Sequence, residues 1–250
     1  MATFQQVMDA LLGVKRFQRN MPATGAATAA QHQGPMLYHD LWGSDTFDAT
    51  NSWGSSVAAT GGVAVGNFAN GTGLFRALRM NCPAAGGGDI ARAWGLKGIG
   101  LPLWATALDN SVYNKLTMEW SCQFGASGAS IDNAVTFMGL GTGQPSIRTT
   151  ADIGGFIFVS DAINTITDLA GTETLTVPTG VPAITVVNKY KMILGPGATI
   201  GFYINNVLMA THTTNLPGAQ VVYPAFSMAN DAGGANSMRV GPLRIWMEES

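Results

Sequence analysis

The run Ile184–Trp246 constrains the fold more than any other part of the chain. Apolar and polar residues alternate there in short blocks, which is the pattern of half-buried strands, and no helical period occurs among them. Asn205-Asn206 separates two blocks as a two-residue hairpin turn, because Asn tolerates positive φ. The predicted strands are Ile184–Ile193, Thr199–Ile204, Val207–Thr213, Val221–Met228 and Met238–Met247. Five short strands in about 60 residues predict an antiparallel β-sandwich or jelly roll.

The same alternation recurs upstream as far as Val57. Leu116–Phe124 (LTMEWSCQF) is a clear strand, with its apolar residues on one face and Thr117, Glu119, Ser121 and Gln123 on the other. Further strands are predicted at Val57–Phe68, Leu74–Met80, Val135–Leu140, Gly155–Val159, Ile163–Ile166 and Thr174–Val177. The glycine-rich segment Asn81–Ala93 and the following WGLKGIGLPLW are predicted to be loops. About eleven or twelve short strands suit one two-sheet sandwich over residues 37–250.

The first 36 residues have a different character. Thr3–Asn20 is predicted to be a helix that begins with a capping box from Thr3 to Gln6. Its apolar stripe, which we expect to bind a partner chain, consists of Phe4, Val7, Met8, Leu11 and Leu12, with Val14 beyond it. Met21–Met36 is rich in Ala, Thr, Gly and Gln, which is linker composition. The sequence therefore predicts an N-terminal helix and extended arm over residues 1–36, although a disordered tether fits the linker equally well.

Charged residues make up only 11% of the chain, whereas about 25% is usual. Such a surface indicates burial against other chains, since the centres of interfaces are depleted in charge; a small-residue-rich β protein is the alternative interpretation. The net charge of −2 and the lack of Lys or Arg runs argue against nucleic acid. No apolar run is long enough to span a bilayer. At the N-terminus, Lys15 and Arg16 follow the apolar stretch, whereas in a signal peptide the positive charges precede it. We therefore expect a cytoplasmic protein whose Cys82 and Cys122 are buried thiols, although a disulfide between them stays possible.

The last quarter of the chain resembles a known family. GATIGFYINNVLMATHTTNLPGA, VYPAFSMAN and MRVGPLRIW are similar to strands of the concanavalin-like (lectin/glucanase-type) sandwich found in many phage structural proteins. The resemblance implies a virion structural protein, and we expect a capsid decoration or cement protein that contacts the major capsid protein. A homotrimer, assembled into the virion in the host cytoplasm, is the expected form. The alternative is a carbohydrate-binding tail or fibre module, in which case a glycan is the partner.

Residues that could carry catalysis are few. Glucanases of this fold class place two catalytic carboxylates at alternate positions of one strand, about 5 Å apart, but Leu116–Phe124 offers Glu119 alone. Asp45 and Asp48 lie three apart in a turn-rich stretch and are expected to bond to the local backbone. Asp132-Asn133 and Asn230-Asp231 could contribute to a glycan site, but neither shows the alternation of a calcium loop. The histidines, His32, His39 and His212, lack metal-like spacing, and Gly139–Gly143 is predicted to be a hairpin loop. We therefore expect no enzyme activity, no cofactor and no metal.

Overall fold

The computed structural model describes residues 33–40, 53–67, 76–83, 88–96, 99–100, 115–125, 134–142, 152–195, 197–217, 221–230 and 235–248. The chain divides into two compact units, Met1–Gln31 and His32–Ser250, and every described residue belongs to the second. These ranges contain strands and turns but no helix, and hence no helix able to cross a membrane. The predicted helix Thr3–Asn20 and its stripe of Phe4, Val7, Met8, Leu11 and Leu12 lie outside the described residues.

Seventeen strands are found in the described residues. They are β1 (Gln33–Asp40), β2 (Trp53–Ala58), β3 (Gly62–Asn67), β4 (Arg76–Cys82), β5 (Asp89–Gly95), β6 (Ile99–Gly100), β7 (Lys115–Phe124), β8 (Ala134–Gly141), β9 (Ile153–Val159), β10 (Ala162–Leu169), β11 (Thr172–Thr176), β12 (Asn188–Gly195), β13 (Thr199–Ile204), β14 (Val207–His212), β15 (Val221–Asn230), β16 (Asn236–Val240) and β17 (Leu243–Glu248). All their pairings are antiparallel.

The strands form two sheets, as the sequence predicts. Sheet A has nine strands in the order β14-β13-β12-β7-β16-β4-β3, with β17 also beside β7 and β1 paired to β17. Sheet B has eight strands in the order β11-β10-β9-β8-β15-β5-β2, with β6 paired to β15. The described residues therefore form an all-β, two-sheet antiparallel sandwich.

Strand β7 is the centre of sheet A. On one side it pairs with β12, and on the other with β16 and then β17. Arg239 lies opposite Gln123, but Arg244 lies opposite Glu119, so the β16–β17 side carries one extra residue. This β-bulge falls at Gly241-Pro242, where proline cannot donate a ladder hydrogen bond. The Gly241 N–H still donates to the Ser121 carbonyl at 2.7 Å.

The core fills the space between the sheets. Along β7 the apolar alternates are fully buried there, and aromatic side chains from both sheets dominate the packing: Trp53, Trp120, Phe124, Phe156, Phe158, Tyr190, Phe202 and Phe226. A smaller buried cluster occupies the opposite face of sheet B and contains Phe137, Ile153, Ile157, Ile166 and Ala225. The centre of sheet B is thus buried on both faces, whereas the outward face of sheet A carries the charged alternates.

The hairpin at Asn205-Asn206 is confirmed, and so is the strand Leu116–Phe124, which extends to Lys115. The predicted strands Ile163–Ile166 and Thr174–Val177 correspond to β10 and β11, which pair as a hairpin. Asn205 and Asn206 adopt φ values of 51° and 66°, as a type I′ turn requires. The predicted strand Met238–Met247 is wrong as a single strand, because the bulge divides it into β16 and β17. The first predicted strand begins at Asn188 rather than Ile184, because residues 184–186 form a turn.

Three other boundary predictions differ from the structure. The predicted loop Asn81–Ala93 contains the end of β4 and most of β5, where Ala91 and Ala93 fill narrow core positions. The predicted strand Val57–Phe68 is a hairpin of β2 and β3 that turns at Ala59, where φ is 51°. Strand β1 begins at Gln33, within the segment predicted to end the arm.

Candidate functional site

Glu119 lies on the outward face of sheet A, in the middle of β7. Its carboxylate forms an ion pair with Lys189, with Oε2 2.9 Å from Nζ. The Glu119 side chain is 17% exposed, and the Lys189 side chain is 43% exposed. Arg244 and Lys191 are its direct partners on the neighbouring strands. The positions two residues away on β7 are Thr117 and Ser121, as the sequence shows. Glu119 is therefore surrounded by cations, whereas a retaining glycosidase would place a second carboxylate beside it.

A lysine and a tyrosine extend this row across sheet A. Lys191 lies opposite Tyr203, and its Nζ is 5.0 Å from the centre of the Tyr203 ring. The same ammonium donates to Asn206 Oδ1 at 3.3 Å. The Tyr203 ring packs over Gly201 on the same strand. A Cβ at Gly201 would lie only 3.0 Å from Tyr203 Cε2. The resulting surface combines an aromatic ring with ammonium and guanidinium groups, and we call Glu119, Lys189, Lys191, Tyr203 and Arg244 the sheet A face.

Sequence reasoning missed the cations and the tyrosine of this face. The pattern Lys189-Tyr190-Lys191 was the available signal, since alternate residues of a strand share a face. Tyr190 accordingly points into the core while both lysines point outward. The remaining partners come from β7, β13 and β17, and their proximity depends on the order of the strands in the sheet.

His212 bridges the two sheets from within the core. It is 2% exposed, and its ring stands edge-on to Phe202 with the centroids 4.9 Å apart. Nδ1 lies 2.9 Å from Thr167 Oγ1, and Nε2 lies 3.0 Å from Thr165 Oγ1. The Thr167 hydroxyl donates to the Thr214 carbonyl at 3.1 Å, so it accepts from the His212 Nδ1–H. The Thr165 hydroxyl is 3.5 Å from the Thr176 carbonyl but only 3.0 Å from Nε2, so it donates to Nε2. This network assigns a neutral imidazole protonated at Nδ1, and burial lowers the pKa of His212 below its usual 6.5.

The buried imidazole makes stability depend on pH. Because the folded-state pKa of His212 lies below 6.5, the unfolded chain binds the extra proton first as the pH falls. The free energy of unfolding should be greatest above about pH 6.5 and should decrease as the pH falls from there toward the folded pKa. Urea midpoints measured at intervals between neutral pH and about pH 5.5 would test this. The His212→Gln variant should show a weaker decrease, and an unchanged wild-type midpoint would contradict the assignment.

A second polar cluster lies where β5 begins and β15 ends. Asp89 is buried and accepts from the Thr60 N–H at 2.9 Å and from the Thr60 hydroxyl at 2.9 and 3.0 Å. Asn230, considered from sequence as a glycan or calcium ligand, is 1% exposed and accepts from Asn236 Nδ2 at 3.0 Å. Asp89 thus holds the turn of the β2–β3 hairpin against the start of β5. The bond between Asn236 and Asn230 joins β16 of sheet A to β15 of sheet B. Asn230 is thus a buried structural residue.

Both cysteines are free thiols in the core, which decides between the alternatives left open by the sequence. Burial, together with the nearby Asp89, raises the pKa of Cys82 to about 11. Burial also raises the pKa of Cys122. Both thiols therefore stay protonated and unreactive at neutral pH.

Several other residues selected from the sequence have definite places. Gly139 and Gly141 belong to β8 rather than to a hairpin loop. His39 lies in β1, opposite Arg244. His32, Asp45, Asp48, Asp132, Asn133 and Asp231 lie outside the described residues. Among the residues that the structure does describe, no group of three or more His, Cys, Asp or Glu side chains is arranged to hold a metal ion.

Comparisons with known proteins identify the fold and leave the family open. No protein-family model matches the chain, and no curated protein matches its sequence. A family 16 glycoside hydrolase from a Bacteroides ovatus mixed-linkage glucan locus is similar at a TM-score of 0.58 and 12% identity, covering 84% of this chain and 99% of its own. Peanut lectin is similar at a TM-score of 0.57 and 12% identity, and the match covers 84% of this chain and 96% of the lectin. A Shewanella oneidensis protein of unknown function is similar at a TM-score of 0.57 and 11% identity, and the match covers 100% of this chain and 96% of that protein. The chain therefore shares the concanavalin-like fold of enzymes and lectins alike.

Proposed function

We propose that the chain is a structural protein of a phage virion, a capsid decoration or cement protein that stabilises the particle through contacts between subunits. The observation that carries the proposal is an uncharged edge of sheet A. No Lys, Arg, Asp or Glu occurs between Lys191 and Asp231. On the edge strand β14, Val207 is 57% exposed and Leu208 is 52% exposed. Exposed apolar side chains on an uncharged edge strand favour an edge that is covered in the assembled state.

The apolar surface extends beyond β14. Val186 and Val187 are about half exposed, and they precede Asn188 and Lys189, which bond to Asn205 at the β13–β14 turn. Natural sheets normally protect such an edge with charges, because its unpaired N–H and C=O groups can pair with another chain. A homotrimer in which each edge contacts a different surface of its neighbour would close as a ring. We propose this arrangement for the decoration protein.

The N-terminal arm, residues 1–36, is the proposed contact with the particle. An isolated helix of this length is marginal in water. Packing Phe4, Leu11 and Leu12 against a partner would contribute about 5–8 kcal/mol before ordering costs. The major capsid protein is the proposed partner, in virions assembled in the host cytoplasm. Neither nucleic acid nor a membrane is part of the proposed assembly.

Deleting residues 1–31, which leaves β1 complete, should abolish particle binding and leave a folded, soluble sandwich. The physical reason is that the apolar stripe is lost while the core between the sheets is untouched. Co-sedimentation with particles that lack the protein would measure binding, and circular dichroism would check folding. In the full-length chain, Phe4→Ser/Leu11→Ser/Leu12→Ser should reproduce the loss, whereas Gln5→Ser/Asn20→Ser, which spares both the stripe and the capping box, should bind normally. If the truncated chain binds particles as well as the full-length chain does, the arm is only a tether and the proposed contact is wrong. If the truncated chain unfolds, the N-terminal residues belong to the core of the sandwich.

The proposed role is not enzymatic. Glu119 is held by Lys189 in the middle of a cationic row, and its neighbours on β7 are Thr117 and Ser121. We expect the purified protein to release no reducing ends from β-glucan, peptidoglycan or capsular polysaccharide. A reducing-end assay with a family 16 glucanase as positive control would check this. Release that disappears in Glu119→Gln would overturn the prediction.

A carbohydrate-binding tail or fibre module is the second candidate. Two observations favour it: the sandwich is similar to that of peanut lectin, and the sheet A face presents Tyr203 beside polar groups. Aromatic rings combined with hydrogen-bonding side chains suit a ligand-binding surface. In this reading the glycan belongs to the host surface.

A further inference from the structure

Charge is divided unequally between the two sheets. The strands of sheet A carry seven Lys or Arg and three Asp or Glu, a net charge of +4. The strands of sheet B carry one Arg and three Asp or Glu, a net charge of −2. Since the whole chain has a net charge of −2, the positive sheet results from the placement of the charges. Such separation gives one face of a nearly neutral protein its own electrostatic potential.

The cations of the sheet A face form a compact group. Arg244, Glu119, Lys191 and Tyr203 lie side by side on β17, β7, β12 and β13. With strands about 4.8 Å apart, the Cα atoms of Arg244 and Lys191 are separated by about 10 Å. Repeating charges on a linear polymer recur at distances of this order, so one extended chain could contact both side chains.

Two of these cations are available to a ligand. Glu119 forms its ion pair with Lys189. Lys191 bonds to the neutral amide of Asn206 and lies beside the Tyr203 ring. Arg244 is exposed. An incoming anion can therefore reach the Arg244 guanidinium and can replace the neutral amide that Lys191 contacts.

We propose that the sheet A face binds an acidic polysaccharide, an inference that rests on the second function proposed above. Carboxylate groups of the polymer pair with Arg244 and Lys191, and a sugar ring packs on Tyr203. Guanidinium groups match carboxylates bidentately, and the Tyr203 ring supplies an apolar surface between the charges. The single intervening carboxylate of Glu119 and the small number of cations suit a polymer with sparse charge. A nucleic acid, with one phosphate per nucleotide, needs a longer cationic track.

The test is isothermal titration of the full-length chain with hyaluronan oligosaccharides, whose carboxylates occur on every second sugar, at low ionic strength; neutral chitin oligosaccharides and oligothymidylate are the comparison ligands. The wild-type protein should bind hyaluronan with an affinity that falls as salt is added. Lys191→Gln/Arg244→Gln should reduce that affinity at least about tenfold, or roughly 1.4 kcal/mol. Tyr203→Leu should reduce it with an unchanged salt dependence. The matched control Thr172→Glu/Val177→Glu changes the net charge equally, at exposed positions in and just after β11, and should bind like the wild type.

Each alternative result overturns the proposal in a recognisable way. Equal losses in the double variant and the matched control would indicate unspecific charge attraction. Tighter binding of oligothymidylate would indicate a nucleic-acid surface. Equal binding of the neutral oligosaccharide would leave a glycan-binding role standing but remove the acidic specificity. Absence of binding to any of the three ligands would contradict both the proposal and the glycan-binding function, while leaving the virion role untouched.

Discussion

Replacing Trp120 with alanine is expected to lower the free energy of unfolding by about 3–5 kcal/mol. The side chain extends from β7 into the core and is 1% exposed. Its ring lies 5.9 Å from Phe156, 6.0 Å from Tyr190 and 6.1 Å from Phe226, measured between centroids. Its Nε1–H points at Met138 Sδ, 3.3 Å away. Truncation would therefore leave a cavity lined by both sheets.

Chemical denaturation followed by tryptophan fluorescence and circular dichroism would measure this loss. In a chain of this size, it corresponds to a fall in melting temperature of about 10 °C. Trp120→Phe should lose less, because an aromatic ring still fills much of the space. Val186→Ala, at a half-exposed position, should change stability by less than about 0.5 kcal/mol. A Trp120→Ala loss as small as that of Val186→Ala would mean that the core is packed differently.

Gly155→Ala is expected to cost about 3 kcal/mol, because it forces apart two paired backbones. Gly155 on β9 lies directly opposite Gly139 on β8. A Cβ at Gly155 would lie 2.4 Å from the Met138 carbonyl oxygen and 2.7 Å from Phe137 Cε2. The backbone oxygen cannot rotate away as a flexible side chain could, so the strands must separate or the Phe137 ring must leave its buried site.

The matched control is Gly62→Ala on the edge strand β3. A Cβ at Gly62 would meet no atom within 4 Å, and its φ lies outside the left-handed region. This substitution should leave stability unchanged or raise it by up to about 1 kcal/mol through the unfolded state. Thermal melts of the two variants side by side would decide the matter. Similar melting temperatures would show that the close approach of β8 and β9 is wrong.

Much of the fold could be predicted from the sequence because it is encoded locally. Period-2 alternation identified Leu116–Phe124, and Asn205-Asn206 identified the β13–β14 turn. Strand β5 was not predicted, because its core positions are Ala91 and Ala93, and alanine has no preference for strands. They are small because of their neighbours in the folded core, a property that alternation within one segment does not reveal.

The candidate site was less predictable because its contacts are distant in sequence. Glu119 was recognised as a lone carboxylate, but its ion-pair partner Lys189 is 70 residues away. His212 lacks metal-like spacing, and its role depends on Thr165 and Thr167 from the opposite sheet. The positive character of sheet A appears when the strand order is known, since the same residues are scattered along a chain of net charge −2.

The most direct test of the proposed function is cryo-electron microscopy of the virion made by the genome that encodes this chain. The account predicts symmetric density on the outside of the head into which the two-sheet sandwich fits. Heads from a deletion mutant should lack that density and lose their DNA more readily on heating. Density confined to the tail or fibres would contradict the decoration role and support the carbohydrate-binding alternative. Virions that never contain the chain would contradict both.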